Sequence, residues 1–270
     1  MEEMVSIIIP AYNRGNVISR AIQSILRQTY VWYEIIVVDD GSTDNTEERV
    51  REIGDNRIRY IRLEQNQGAS YARNEGIRRC LYDYIAFLDS DDEWMPDKLE
   101  LQMDKMRQSS ENVGLIYCRM RSGKEKENIC PSYDGPMDVP LEGNLFPLLL
   151  WRNIIGTPSI LVKRVCLESI GGFNESLRCL EDWELILRIA RKWEIGFIDK
   201  VLVEVNKSSE RVSANAGAFL LSRCYIASLY RQEMMQIGLR PVIEKEILEK
   251  ARAYGLECET CELLKRGFFL

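Results

Sequence analysis

The sequence predicts an α/β protein with a largely parallel sheet and helices on both of its faces. Three observations carry that reading. Short apolar runs, broken only by Ser6, recur at Val5–Ile9, Ile35–Val38, Tyr84–Leu88 and Val113–Cys118, the mark of strands covered on both sides. Segments with apolar residues at helical spacing lie between them. The chain has 270 residues, enough to bury a full core in one large or two modest domains.

Each element can be justified in order. Val5–Ile9 runs into Pro10, which is expected to end the first strand. Val17, Ile18, Ala21, Ile22, Ile25 and Leu26 then share one helical face. Ile35–Val38 is the second strand, stopped by Asp39-Asp40-Gly41-Ser42, and Thr43-Asp44-Asn45-Thr46 offers caps to a helix through Val50 and Ile53. Ile58–Ile61 reads as a short strand, Ala69–Leu81 as a helix after Gly68, and Tyr84–Leu88 as a strand running into Asp89. Pro96 suits the first turn of a helix over Leu99–Met106, and Val113–Cys118 is a further strand. The pattern then weakens. Ser122–Asp138 is polar, with Gly, Pro and charge, and reads as a loop or short hairpin. Ser159–Val162 reads as a strand, a helix starts near Asp182 with Leu185, Ile186, Ile189 and Ala190 inward, and Ile195–Ile198 is the last strand. Phe219–Tyr230 and Val242–Tyr254 are helical and charged.

Composition removes several functions. The net charge is −6, and no Lys/Arg-rich run supplies the basic patch of a nucleic-acid binder. There are no histidines, so His-based triads, His acid/base pairs and His metal ligands are excluded and carboxylates must carry such chemistry. The first residues lack a signal-peptide pattern, and no run of about 18 apolar residues points to a membrane span. The eight cysteines are scattered, and Cys258-x-x-Cys261 has no second pair to complete a zinc site. All eight are expected reduced, and the protein cytoplasmic.

Acidic residues follow two of the expected strands: Asp39-Asp40, and Asp89-Ser90-Asp91-Asp92. In an open α/β sheet that edge is where ligands bind. Clustered carboxylates repel one another unless a cation lies between them. A hard divalent ion suits oxygen ligands, and a phosphate-bearing substrate would complete its shell. The alternative is helix capping, by Asp92 or Asp97 ahead of the Pro96 helix. The chain has neither a Gly-x-Gly nor a Gly-x4-Gly-Lys-Ser/Thr loop, so a diphosphate would be held by metal and side chains. Arg73, on the first helical turns after Gly68, either reaches a phosphate or is a solvated helix-face arginine.

Four stretches carry a resemblance: Val5-Ser-Ile-Ile-Ile-Pro-Ala-Tyr-Asn, Val37-Val-Asp-Asp-Gly-Ser-Thr-Asp, Asn66-Gln-Gly-Ala-Ser-Tyr-Ala-Arg-Asn and Phe87-Leu-Asp-Ser-Asp-Asp-Glu-Trp. Together they resemble family 2 inverting glycosyltransferases of the GT-A fold. Gly171-Gly-Phe-Asn-Glu-Ser-Leu, then Glu181-Asp-Trp-Glu-Leu, resembles that family's acceptor-side segment, and the match runs over about residues 4 to 205. The resemblance implies a Rossmann-like, mostly parallel sheet in which residues 1–120 bind the nucleotide sugar and 121–205 the acceptor, followed by a helical extension over 206–270. Pro10, Ala11 and Tyr12 would line the nucleobase pocket with Asn13 beside them, and Asp39 would accept a hydrogen bond from the base. Arg73, Asp89 and Ser90 would contact the nucleotide. Asp91, with Asp89 as a second candidate, would hold Mn²⁺ or Mg²⁺, which neutralises the departing nucleoside diphosphate. Asp182 would be the general base of a single inverting displacement, kept ionised by the positive end of its helix.

The implied donor is a nucleotide diphosphate sugar, UDP-linked before GDP or dTDP, and the implied acceptor is a glycan or lipid-linked sugar of polysaccharide or envelope synthesis. The family's usual His after the last strand is replaced by Glu204-Val-Asn-Lys-Ser-Ser-Glu-Arg, where Lys207 or Arg211 could take its part. The tail, Leu263-Leu-Lys-Arg-Gly-Phe-Phe-Leu, fits peripheral contact with the inner membrane face, packing on a second copy of the chain, or fraying. Two rival readings are a sugar-phosphate nucleotidyltransferase, which would favour a glycine-rich basic loop after the first strand, and a non-catalytic nucleotide-sugar-binding module, which would have lost a carboxylate.

Overall fold

In β1 (Val5–Ala11) and β2 (Tyr33–Asp39) every residue is buried, as an apolar run requires when both faces of a sheet are covered. Alternate residues enter different cores. Val5, Ile7 and Ile9 join Ile35 and Val37 on one face, while Ile8 joins Ile36 and Val38 on the other. The computed structural model describes residues 3–122, 127–130, 140–206, 216–256 and 260.

Seven more strands complete the described sheet: β3 (Ile58–Arg62), β4 (Tyr84–Phe87), β5 (Glu93–Trp94), β6 (Val113–Ser122), β7 (Glu127–Cys130), β8 (Leu161–Lys163) and β9 (Glu194–Val205). The order is β3-β2-β1-β4-β8-β6-β9-β5, with β7 beside β6. Strands β1 to β4, β6 and β9 run one way and β5, β7 and β8 the other, so the sheet is mostly parallel. Reversed β8 joins the two parallel groups.

Pro10 does not end the first strand; it pairs with Val38 inside β1. Even-numbered residues of β1 bond toward β4, as when Leu88 N–H donates to Ile8 O, and β4 has already ended at Phe87. Position 10 lies beyond the last β1–β4 pair, Ile8 with Phe87, and a residue without an N–H is tolerated there.

The helices are α1 (Ile18–Leu26), α2 (Thr46–Arg51), α3 (Ala69–Arg79), α4 (Lys98–Gln108), α5 (Phe146–Trp151), α6 (Arg164–Ile170), α7 (Glu181–Ala190), α8 (Ala216–Leu229), α9 (Arg231–Gln236) and α10 (Arg240–Ala253). Helix α2 stops at Arg51, short of the expected Ile53. Two short helices, α5 and α6, have no periodic signal in the sequence. Residues Thr157–Ser159 form a 3₁₀ turn around Pro158, so the strand expected at Ser159 starts at Leu161. β9 is 12 residues long rather than a four-residue run, because exposed Asp199 and Lys200 interrupt its apolar pattern before buried Leu202 and Val203. Residues 127–130 do pair with β6 as a short hairpin strand.

Helix α3 lies directly on β1. A Cβ at Gly76 would stand 2.5 Å from Ile8 Cγ2, so glycine sets the approach that brings α3 over the strand ends. The C-terminal helices share the sheet's own core: Leu220, Cys224, Ile226, Ile243 and Ile247 cluster with Ile8 and Phe87. No helix among the described residues is long and apolar enough to cross a membrane. Cys258, Cys261 and the tail Leu263–Leu270 lie outside the described residues.

Candidate active site

The loops leaving β1, β2 and β4 are knitted by side chains that the sequence placed among ligand candidates. Asp39 is fully buried. Its Oδ1 accepts from Ser42 N–H at 2.8 Å and its Oδ2 from the Tyr60 hydroxyl. Asn13, at φ +53°, accepts from Thr43 N–H at 2.8 Å through Oδ1, and its own N–H donates to Ser42 Oγ at 2.8 Å. Asp40 accepts from the N–H groups of Gln67 (2.9 Å) and Gly68 (2.7 Å) and so pins the start of α3 to the end of β2. Burial pushes the Asp40 carboxyl up, against the pull of those two bonds.

The stretch after β4 carries the next group. Asp92 N–H donates to Asp89 O at 3.1 Å, which turns the chain back on itself. Asp92 is buried and accepts from Asn206 N–H at 2.9 Å, while Asn206 Nδ2 donates to Asp91 O at 2.9 Å. The end of β9 thus holds the acidic loop in place. The Asp91 carboxylate has no hydrogen bond or ion pair among the described residues.

Arg73 is 5 % exposed, not a solvated helix-face residue. It donates from one terminal nitrogen to Asp89 Oδ1 (2.8 Å) and from the other to Glu181 Oε1 (3.0 Å), while its Nε is buried without a partner. Both tips expected to reach a phosphate are taken by carboxylates. Glu181 opens α7, after Leu180 at φ +59°, a left-handed conformation that costs a branched side chain free energy and so marks a constrained site.

Asp182 accepts from Trp183 N–H at 2.7 Å and from the Asn153 side chain. Trp183 is buried and anchors the helix start by donating Nε1–H to Leu149 O at 2.7 Å. The expectation that the helix dipole keeps Asp182 fully ionised is corrected. Burial, then the adjacent Glu181 charge, push its carboxyl up to about 7, and the pull of Arg73 does not offset them.

These residues surround one cavity of about 660 Å³. Pro10, Ala11, Tyr12, Arg73, Asp89, Ser90, Asp91 and Asp182, all expected at the site, line it. Asn13 and Asp39 do not; Asp39 is taken up by Ser42 N–H and the Tyr60 hydroxyl and Asn13 Oδ1 by Thr43 N–H, and Asp40 is the strand-end carboxylate in the wall. Sequence reasoning missed Asn153, Asn206 and Phe219 of α8, which also line it, and missed that Glu181 faces Arg73. Only the Glu181-Asp182 doublet carried any signal for these. Lys207 and Arg211 lie outside the described residues.

The described wall holds seven carboxylates (Asp40, Asp89, Asp91, Asp92, Glu175, Glu181, Asp182) against three arginines (Arg14, Arg73, Arg178). No three acidic or sulfur side chains among the described residues converge closely enough to hold a metal alone. A free Asp91 carboxylate with Asp89 nearby suits a hard cation whose other ligands are phosphate and water, and such an ion would offset the repulsion a diphosphate meets here.

The model of Glycosyl transferase family 2 matches residues 6–150. Over 114 residues, 42% of this chain and 44% of the relative, the chain is 44% identical to the Escherichia coli UDP-Glc:alpha-D-GlcNAc-diphosphoundecaprenol beta-1,3-glucosyltransferase WfgD. The chain spans 41% of the length of other curated relatives that it matches along 89% of its own. Among solved structures, S. aureus TarS 1-349 in complex with UDP-GlcNAc superposes with a TM-score of 0.69 at 20% identity, covering 83% of this chain and 65% of that one. The mannosyltransferase PcManGT from Pyrobaculum calidifontis, in complex with GDP-Man and Mn²⁺, gives 0.66 at 19% identity, covering 99% and 76%.

Proposed function

The chain belongs to glycosyl transferase family 2 and has the GT-A fold, and from that premise we propose that it moves a sugar from a UDP-sugar to a glycan or lipid-linked acceptor of the cell envelope, with inversion. One observation carries the reading. A single cavity joins an unengaged carboxylate on the donor side, Asp91, to a carboxyl of raised proton affinity on the opposite segment, Asp182. The donor reading draws support from WfgD and TarS, whose names carry UDP-Glc and UDP-GlcNAc, and the metal reading from PcManGT with Mn²⁺. A lipid-linked acceptor draws support from WfgD.

Pro10, Ala11 and Tyr12 form the wall against which a base packs, and Asp40 holds the Gln67–Gly68 backbone beside it. Asp91, with Asp89, would hold a divalent ion that neutralises charge on the leaving diphosphate. Asp182 takes the proton of the acceptor hydroxyl as that oxygen attacks the anomeric carbon. The bond from that carbon to the diphosphate breaks, and attack from the opposite face inverts the centre. A base whose proton affinity lies near neutrality is matched to this task. The test is to incubate the protein with UDP-sugars and Mn²⁺ or EDTA and assay UDP release. Metal-dependent release of UDP supports the reading, whereas release of pyrophosphate from a nucleoside triphosphate and a sugar phosphate would replace it with nucleotidyl transfer.

A further inference from the structure

Two adjacent residues of α3 tie down the segment that carries Asp182. Asn74 closes a pair with Phe173: Phe173 N–H donates to Oδ1 at 2.8 Å, and Nδ2 donates back to Phe173 O at 2.9 Å. The same Nδ2 reaches Glu175 Oε1 at 2.7 Å. Gly172 makes this contact feasible, since at φ +76° a Cβ there would stand 2.5 Å from Asn74 Oδ1. Arg73 lies over the Phe173 ring, 5.3 Å from its centroid, and reaches on to Glu181 and back to Asp89. Residues 172 to 182 are therefore held at both ends by neighbours on one helix turn. The near end is fixed through backbone by Asn74, and the far end through a carboxylate by Arg73.

We propose that Arg73, with Asn74 beside it, is a positioning residue, a two-ended latch that sets the Glu181–Asp182 pair against the Asp89 carboxylate and serves the transfer step rather than donor binding. The inference rests on the reading of Asp182 as the base. The chemistry of the latch needs arginine. One planar fork meets two carboxylates in fixed directions, and a lysine ammonium keeps the charge without that geometry. A misplaced base costs rate steeply, because proton transfer and attack depend on alignment.

The test compares Arg73→Lys, Arg73→Met and Asn74→Ala with wild type. The measurements are UDP affinity with Mn²⁺ by calorimetry, kcat and KM for transfer, the pH profile of kcat, and amide hydrogen exchange. Arg73→Lys and Asn74→Ala are expected to lower kcat on the order of 10- to 100-fold while UDP affinity stays within about threefold. Arg73→Lys leaves the acid limb of the pH profile in place. Arg73→Met removes a charge that favours ionised Asp182 and moves that limb to higher pH. In Asn74→Ala, faster exchange spreads from Phe173 to residues 180–183. A large loss of UDP affinity with kcat unchanged at saturating donor overturns the proposal and makes Arg73 a phosphate ligand. Unchanged kcat and affinity also overturn it, as does exchange confined to Phe173. If Arg73→Met does not fold, the other two variants decide. A wild-type protein that binds no nucleotide and releases no UDP would refute the glycosyl-transfer reading instead, and the exchange result still decides whether the latch exists.

Discussion

At the ends of β2 and β4 the carboxylates of Asp39, Asp40 and Asp92 accept from backbone N–H groups, whereas the Asp182 segment is held by side chains from a helix about a hundred residues earlier in the chain. On the donor side, Asp39 bonds Ser42, three positions on, and Asp40 bonds the turn that starts α3. Strand register does most of the placing. On the base side there is no strand to align. Residues 171–182 pass through two glycines and a left-handed Leu180, and their fixed points include the Asn74 and Arg73 contacts. The strand-end loops are thus placed mostly through backbone groups, with Asn206 at the end of β9 closing the Asp91–Asp92 turn. The Asp182 segment is tied to α3 by long-range side-chain contacts.

The sharpest way to break that comparison is Asp182→Asn. Transfer should fall roughly 10²–10⁴-fold while metal-dependent UDP binding persists, because the two functions sit on differently built regions. The variant should also melt at or above wild type at pH 8. The folded carboxyl binds its proton more tightly than the unfolded one, so between about pH 4 and about 7 the native state holds more protons and stability falls as pH rises. Asparagine removes that cost. Equal transfer rates in the two proteins would make Asp182 a helix-start residue only.

On the donor side, Asp91→Ala should weaken UDP binding in Mn²⁺ by about 10- to 100-fold, the scale on which altered ligand shells lose metal affinity, and bring it to the level seen with EDTA. Calorimetry of both proteins in both conditions checks this, and affinity that is the same in all four would remove the metal from the site.

A gentler probe is pH. Since Asp182 must be ionised to accept a proton and its carboxyl is raised to about 7, kcat should rise through neutrality, by about tenfold per unit below that value. A profile flat from pH 5 to 8 would place the base elsewhere.

The smallest effect is expected from Asp39→Ala. Two groups lose their acceptor, so stability should drop by about 1–3 kcal/mol by chemical denaturation, with UDP preferred over other nucleotides as before. A changed nucleotide preference at unchanged stability would return Asp39 to the base pocket.

From the sequence alone, the first four strands and the helices between them are legible, because a buried parallel strand writes itself as an apolar run and an amphipathic helix as a 3.6-residue period. The Asp89-Ser90-Asp91 stretch is legible for the same reason: it ends such a run. The short helices α5 and α6 have too few residues to show a period, and the strand expected at Ser159–Val162 carries no sign that β8 runs in reverse. Which of Asp39 and Asp40 faces the cavity is decided by the two-residue alternation at the strand end, where one position changes the face. The partners of Arg73 lie 16 and 108 positions away, and no local pattern encodes a pairing across that distance. The proton affinity of Asp182 also belongs to the tertiary structure. The helix dipole is a local property that the sequence can anticipate, but burial and the Glu181 charge outweigh it, and burial exists only once the chain has closed around the site.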